Sequence, residues 1–156
     1  MMDMLRKISG FAGEYEFLSN FYPCKVTFCH MEFPSAENAF QAAKHANLAE
    51  REKFTTLTPR QAKQLGKRVP LRPDWEGRKR TIMHNILTHK FDENPELISK
   101  LMDTGATVLV ETNSWHDNYW GDCQCPKCAG IKGQNHLGRI LMRLRAEYFW
   151  EACHHG

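Results

Sequence analysis

Apolar residues recur at helical spacing in several stretches of the chain, and the breaks between them carry turn and cap signals. Pro34 and Ser35 precede a run of helix formers in which Ala36, Ala39, Phe40 and Ala43 share one side, with Ser35 placed to accept an N–H bond from the first turn. Thr58-Pro59 is an N-cap followed by a proline at the first helical position, opening a brief helix that ends near Gly66. Asp74 can cap a longer helix whose buried side is Trp75, Ile82, Met83, Ile86 and Leu87. Asn94-Pro95 repeats the start signal for Leu97, Ile98, Leu101 and Met102, ending by Gly105, and Leu137, Ile140, Leu141, Leu144 and Tyr148 mark a C-terminal helix. Strand signals are fewer: the β-branched run Thr107 to Glu111, and a short hairpin over Lys25 to Phe33 with Cys29, His30 and Met31 at or near its turn. The pattern predicts an α+β fold, predominantly α-helical, with a small β-sheet or hairpins.

Composition narrows the class without naming a function. A chain of 156 residues, 42% hydrophobic and 25% charged, fits one globular domain over 1–156 with a sizeable core. There is no internal repeat, low-complexity tract or long linker. The start MMDMLRKISG lacks the apolar core of a secretory signal, so a cytoplasmic protein with no membrane partner is expected. A net charge of +3 suits phosphate-bearing ligands but is too small to argue for nucleic-acid binding by itself.

Polar residues suggest two places for chemistry. On the Ser35 helix, Glu37, Gln41 and Lys44 recur at i, i+4 and i+7 and line up on one side. That stripe is either a solvated face or the wall of a site. The stretch WGDCQCPKCAGIKGQNHLG, Trp120 to Gly138, is the second place. Gly121, Gly130, Gly133 and Gly138 allow close backbone approach, so the loop can either cradle a pyrophosphate with its N–H groups or be a plain surface loop. Trp120 and Asn135 are candidates there for base or ribose contacts. Within it Cys123, Cys125 and Cys128 form CxCxxC, which can converge on a structural zinc with a fourth ligand from Cys24, Cys29, His30, His116 or His136. The alternatives are reduced thiols in a tight loop, or a disulfide or reactive cysteine. A closed thiolate site would hold the loop and leave the chemistry to other groups.

Four blocks then resemble, in order and spacing, the NADAR or YbiA-like family over roughly residues 10 to 148. They are GEYEFLSNFYPC (Gly13 to Cys24), FPSAENAFQAAKH (Phe33 to His45), AKQLGKRVPLRPDWEGRK (Ala62 to Lys79) and YWGD…GQNHLGRILMRLR (Tyr119 to Arg145). The resemblance implies a compact, largely helical domain that hydrolyses N-glycosidic bonds with no cofactor required for catalysis. It implies two substrate classes: ribosylamino-pyrimidine phosphates of riboflavin synthesis, and ADP-ribose on guanine of DNA or RNA. An alternative is a binding module that recognises ADP-ribose or NAD without turning it over.

Cleaving such a bond passes through an oxocarbenium-like sugar, which calls for a carboxylate near the sugar carbon and a proton donor near the departing nitrogen. By motif, Glu37 is the expected acid/base and Asp122 the group that orients ribose or water. Lys44 is expected to hold phosphate or stabilise the leaving group, or to attack a ring-opened sugar as a Schiff-base nucleophile. The substrate-binding set implied by the resemblance is Ser19, Asn20, Phe21, Gln41, Trp75, Trp120, Gly121, Asn135 and Gly138. For Trp75 the alternative is the first core residue of its helix; for Ser19, Asn20 and Phe21 it is a turn with a satisfied Asn side chain. Asn38 departs from the histidine associated with its position in the family. Lys67, Arg68 and Arg72 are either a basic rim or a solvated run.

Overall fold

A computed structural model of the chain describes residues 6–155. Its strands are β1 (Lys7–Ser9), β2 (Val26–Phe28), β3 (Met31–Phe33), β4 (Val108–Val110), β5 (Thr112–Asn113) and β6 (Asp122–Cys123). Its α-helices are α1 (Ala36–Ala43), α2 (Pro59–Gly66), α3 (Trp75–Asp92), α4 (Pro95–Asp103) and α5 (His136–His155). The fold is α+β and mainly helical, as the pattern predicts. Two compact units divide it: Asn20–Pro95 is one, and the residues through Ser19 together with those from Glu96 onward are the other.

The continuous unit is organised around α1. Ser35 caps it through a hydrogen bond accepted from the Asn38 N–H at 3.1 Å. Helices α2 and α3, the hairpin β2–β3 and a 3₁₀ segment at Leu48–Thr55 all pack on it, so every residue from Ala36 to Ala43 is buried. Ala36, Ala39, Ala42 and Ala43 are fully buried, and their small side chains let neighbours approach from several directions. At the C-terminal end the Arg51 guanidinium donates to the Ala43 and His45 carbonyls. The hairpin turns through Cys29 and His30, both at positive φ (50° and 65°), the backbone twist that a two-residue turn between antiparallel strands prefers.

Asn38 shows what burial all round demands. Its side chain donates to the Phe54 carbonyl at 2.9 Å and the Leu57 carbonyl at 2.8 Å, and accepts from the Ser35 hydroxyl at 2.5 Å. It therefore fastens the 3₁₀ segment and its exit to α1. Thr58 and Gln61 complete a capping box at the start of α2. Asp74 departs from expectation: its carboxylate pairs with Arg72 at 2.6 and 3.0 Å and makes no cap bond to α3. The local guanidinium outcompetes the helix N–H groups for that carboxylate.

The discontinuous unit joins the two ends of the chain. β1 runs parallel to β4, with Lys7 opposite Val108 and Ser9 opposite Val110, and α5 packs on β4 through Leu137, Leu141 and Leu144. Gly138 makes that approach possible, since a Cβ there would collide with the Leu109 carbonyl oxygen and the Asn135 amide. Arg145, buried in the same helix, donates to the Thr104 hydroxyl at 2.8 Å. β5 and β6 form a second short parallel pair. Strands β1, β5 and β6 and the 3₁₀ segments Gly13–Leu18, Leu48–Thr55 and Pro126–Cys128 lie outside the sequence expectations. Among the described residues no helix is long and apolar enough to cross a membrane.

Candidate active site

The polar stripe of α1 is not solvated. Glu37 is 7% exposed and Gln41 4%, and the Gln41 amide donates to Glu37 Oε1 at 2.7 Å. Burying an ionisable carboxylate in a helix surrounded by apolar side chains is unfavourable unless it is hydrogen-bonded, and such placements concentrate at functional sites. Next to it, the Glu37 N–H donates to the Asn20 carbonyl at 2.9 Å. Asn20 is itself buried, its amide nitrogen reaching Met83 Sδ at 3.5 Å. Two acceptors in this group, Asn20 Oδ1 and Gln41 Oε1, are buried without a hydrogen-bond partner among the described residues. Orphaned buried acceptors call for an explanation, and a donor on a bound ligand supplies one.

One turn on, Lys44 is half-buried with Nζ 5.7 Å from the Phe40 ring centroid. Burial lowers its pKa, Glu37 opposes that, and the charges of Lys63, Lys67 and Lys79 lower it further. Three further lysine charges close enough to act on Lys44 make a receptive setting for a phosphate group. Phe21, 40% exposed, has Lys63 Nζ 5.8 Å from its ring centroid, so an aromatic face adjoins the cationic cluster. Trp75 is buried with its ring 5.1 Å from Phe40 at an interplanar angle of 50°, backing the same side chain that Lys44 covers. Of the proposed basic rim, Arg72 is instead paired with Asp74.

The unit containing Asn20–Pro95 thus brings together Asn20, Glu37, Gln41 and Lys44, with Phe21 and Trp75 at the cluster's margins. Ser19, Trp120, Gly121, Asp122, Asn135 and Gly138 belong to the other unit. Ser19 closes the Gly13–Leu18 segment, its N–H bonded to the Glu16 carbonyl. Asp122 accepts from the Gly133 N–H at 2.8 Å and from the Gln124 amide at 2.9 Å. Asn135, at φ 52°, bridges α5 to β4 by donating to the Leu109 carbonyl and accepting from the Glu111 N–H. Gly121 packs on the Glu111 carbonyl too closely for a side chain, and Trp120 meets Tyr119 edge-on at 4.8 Å.

Of the two readings of the loop before α5, a pyrophosphate cradle or a plain surface loop, the cradle finds no free donor from Gly133 to Leu137 at the helix start. The N–H groups of Gly133, Gln134, Asn135, His136 and Leu137 donate to Asp122 Oδ1 and to the carbonyls of Asn118, Gly121, Tyr119 and Trp120 respectively. Gly121, Gly133 and Gly138 serve chain-on-chain packing, Gly130 turns the chain at φ 83° beside open space, and the donors are engaged within the loop.

The three loop cysteines do converge. Cys123 Sγ, Cys125 Sγ, Cys128 Sγ and a ring nitrogen of His116 all lie within 4.8 Å of one another, a cluster able to hold a metal ion. Burial and the sulfur neighbours Cys123 and Cys125 push the Cys128 thiol up to about 11. At Cys123 burial acts in the same sense, but N–H donors from Cys125 and His116 outweigh it and lower the pKa.

The NADAR domain family matches residues 10–148. The chain belongs to the NADAR domain family. Among its NADAR relatives, N-glycosidase YbiA of Escherichia coli (strain K12) is 32% identical over 150 residues, 94% of this chain and 90% of that protein. A riboflavin biosynthesis protein of Vibrio vulnificus (strain YJ016) is 37% identical over 134 residues, 84% of this chain and 35% of the larger protein. The NMR structure of the E. coli protein YbiA matches with a TM-score of 0.83 at 31% identity, covering 99% of this chain and 92% of that one.

One residue beside this cluster gives little sign of itself in the sequence. Gly66, at the end of α2, is buried against Gln41, and a Cβ there would collide with Gln41 Oε1 and crowd its amide carbon at 2.8 Å. Its only sequence signal is its place at a helix end, where glycine is common for conformational reasons, yet its φ is not positive. Gly66→Ala is expected to displace the Gln41 amide from Glu37 and lower kcat at least about tenfold, the scale of losing one hydrogen bond to a charged group. Melting temperature should change little, because alanine's helix preference of about 1 kcal/mol offsets the displacement. A full-rate Gly66→Ala enzyme would remove Gln41 from the positioning of Glu37.

Proposed function

We propose that this NADAR protein is an N-glycosidase that hydrolyses the bond between a ribose carbon and the nitrogen of a base-like group, on a phosphate-bearing ribosylated substrate. The observation that carries the reading is the buried Glu37 carboxylate, held by the Gln41 amide, beside orphaned acceptors and a cluster of lysines. The relatives, an N-glycosidase and a riboflavin biosynthesis protein, point the same way and favour a ribosylamino-pyrimidine phosphate as substrate.

In this reading water adds to the sugar carbon as the carbon–nitrogen bond breaks. Glu37 takes the proton that water loses and passes it on to the departing nitrogen, so the step consumes no net proton. Gln41 holds the Glu37 carboxylate in place, Asn20 Oδ1 accepts a hydrogen bond from a ribose hydroxyl, Phe21 offers its face to the base, and Lys63 and Lys67 hold phosphate. Nothing in this sequence of events requires a cofactor, and zinc at the cysteine cluster would hold a loop without touching the sugar. We place the reaction in the cytoplasm, in keeping with six free cysteines.

Purified protein incubated separately with the ribosylamino-pyrimidine phosphate and with an ADP-ribosylated guanine oligonucleotide tests the proposal. Release of free base from the first is the expected result. Cleavage of the oligonucleotide alone would reassign the substrate, and two intact substrates with ADP-ribose raising the melting temperature would leave only the binding-module reading.

Lys44 yields a prediction with a definite sign. Its folded-state pKa is below the ordinary lysine value of 10.5, so at neutral pH the fold carries the penalty of a charge it disfavours. That penalty fades as pH rises through the lowered value towards 10.5. Lys44→Met is therefore expected to melt no lower than the parent at pH 7 while losing about 10–100-fold in activity, the scale of a charged contact to phosphate or the leaving group. Borohydride in the presence of substrate should trap no adduct; a trapped adduct on Lys44 would make it the nucleophile.

A further inference from the structure

We propose that His116, Cys123, Cys125 and Cys128 form a tetrahedral zinc site that clamps the loop between β5 and α5. The four ligand atoms come from three places: His116 from the β5–β6 connection, Cys123 from β6, and Cys125 and Cys128 from the ends of a single 3₁₀ turn. His116 Nδ1 lies 3.2 Å from Cys125 Sγ and 3.4 Å from Cys128 Sγ. With Zn–S of about 2.3 Å and Zn–N of about 2.0–2.1 Å, a tetrahedral site has N···S edges of about 3.5 Å and S···S edges of about 3.8 Å. The two N···S contacts lie close to that N···S edge, and all four ligand atoms fall within 4.8 Å of one another.

Features around the cluster support a built site. His116 adopts φ 70°, a left-handed conformation that a non-glycine residue rarely takes, and that conformation accompanies a ring turned onto two sulfurs. The backbone N–H groups of His116 (3.3 Å) and Cys125 (3.5 Å) donate to Cys123 Sγ, the kind of support a metal-bound thiolate receives from its surroundings. Cys123 and Cys128 are buried while Cys125 and His116 are more open, giving an ion an entry side. Three sulfurs and one imidazole with all four positions filled by protein is the donor set of a structural zinc centre, and leaves no position for water or substrate.

The clamp joins segments that otherwise touch through few short strands. Residue 117, next to His116, accepts at Asp117 Oδ1 from the N–H groups of Tyr119 and Trp120, and Cys123 directly follows Asp122. Zinc therefore fixes the path of residues 116–128, and through it the carboxylate of Asp122. The metal site stands independently of the proposed hydrolase reading.

The test uses the full chain purified without chelator. Elemental analysis is expected to give about one zinc per chain, and replacement by cobalt(II) should give visible d–d bands of a tetrahedral site with thiolate-to-cobalt charge transfer in the near ultraviolet. Cys125→Ser and His116→Ala should each bind less zinc, while Cys153→Ser, at an exposed position on α5, should retain it. Zinc below about 0.1 per chain, together with no cobalt spectrum on the reduced parent protein, would overturn the proposal whether or not the variants fold. Retention of full zinc by the Cys125→Ser, Cys128→Ser double variant would overturn it too. Neither readout depends on substrate turnover, so a failed glycosidase assay and a failed metal assay remain separate results.

Discussion

Glu37→Gln is expected to fold normally and to lose at least about 100-fold in turnover, from the usual size of general acid–base contributions. The substitution keeps side-chain volume and keeps an oxygen for the Gln41 amide to donate to, so the 2.7 Å contact within α1 can persist. It removes the capacity to take a proton, and it removes a buried charge. The first change abolishes the proposed chemistry and the second relieves the fold, so activity and stability are expected to move in opposite directions. Steady-state kinetics beside a thermal melt would show this. If turnover stays within a few-fold of the parent, Glu37 is not the acid/base and its burial has another cause.

The second large effect concerns stability. Asn38→Ala is expected to cost about 2–4 kcal/mol, since it deletes three hydrogen bonds of about 1 kcal/mol each and leaves the buried Phe54 carbonyl without its amide donor. Chemical denaturation should show a lower midpoint at an unchanged slope. Asn38→His, which restores the residue type associated with this position in the family, is expected to be destabilising as well: an imidazole cannot donate to both the Phe54 and Leu57 carbonyls while accepting from Ser35. Undiminished stability in both variants would mean that the 3₁₀ segment is anchored elsewhere. The departure at Asn38 is thus explained as a fastening of the Leu48–Thr55 segment, with no proton-transfer role needed.

How far the sequence could be read depended on whether the governing interaction was local. Ser35, Thr58 and Pro59 mark helix starts through bonds within four residues, and the structure keeps them. Asp74 has the same signature, but Arg72 is two residues away and takes the carboxylate, so a local competitor reversed a local rule. The polar stripe Glu37–Gln41–Lys44 was visible as a stripe; its burial was not, because that follows from α2, α3 and the hairpin closing around α1. Likewise the CxCxxC spacing announces a ligand group, while His116 could be picked from five candidates only once β5 and β6 paired and a left-handed residue turned its ring inwards. Gly121, Gly133 and Gly138 were legible as close-approach points, yet whether they face a phosphate or a neighbouring carbonyl is decided by residues up to 29 positions upstream, such as Glu111 and Leu109.

Pairing of β1 with β4 has a consequence for how the chain is made. Lys7 leaves the ribosome about a hundred residues before Val108, its partner, and the α5 side chains that cover β4 emerge later still. Asn20–Pro95 is continuous, so it can begin to fold while the remainder is being translated, whereas the opening strand must wait with its edge unsatisfied. Slowing synthesis between Pro95 and Val108 would lengthen that exposed interval and, with it, the time during which the nascent amino-terminal segment is open to mispairing or chaperone capture.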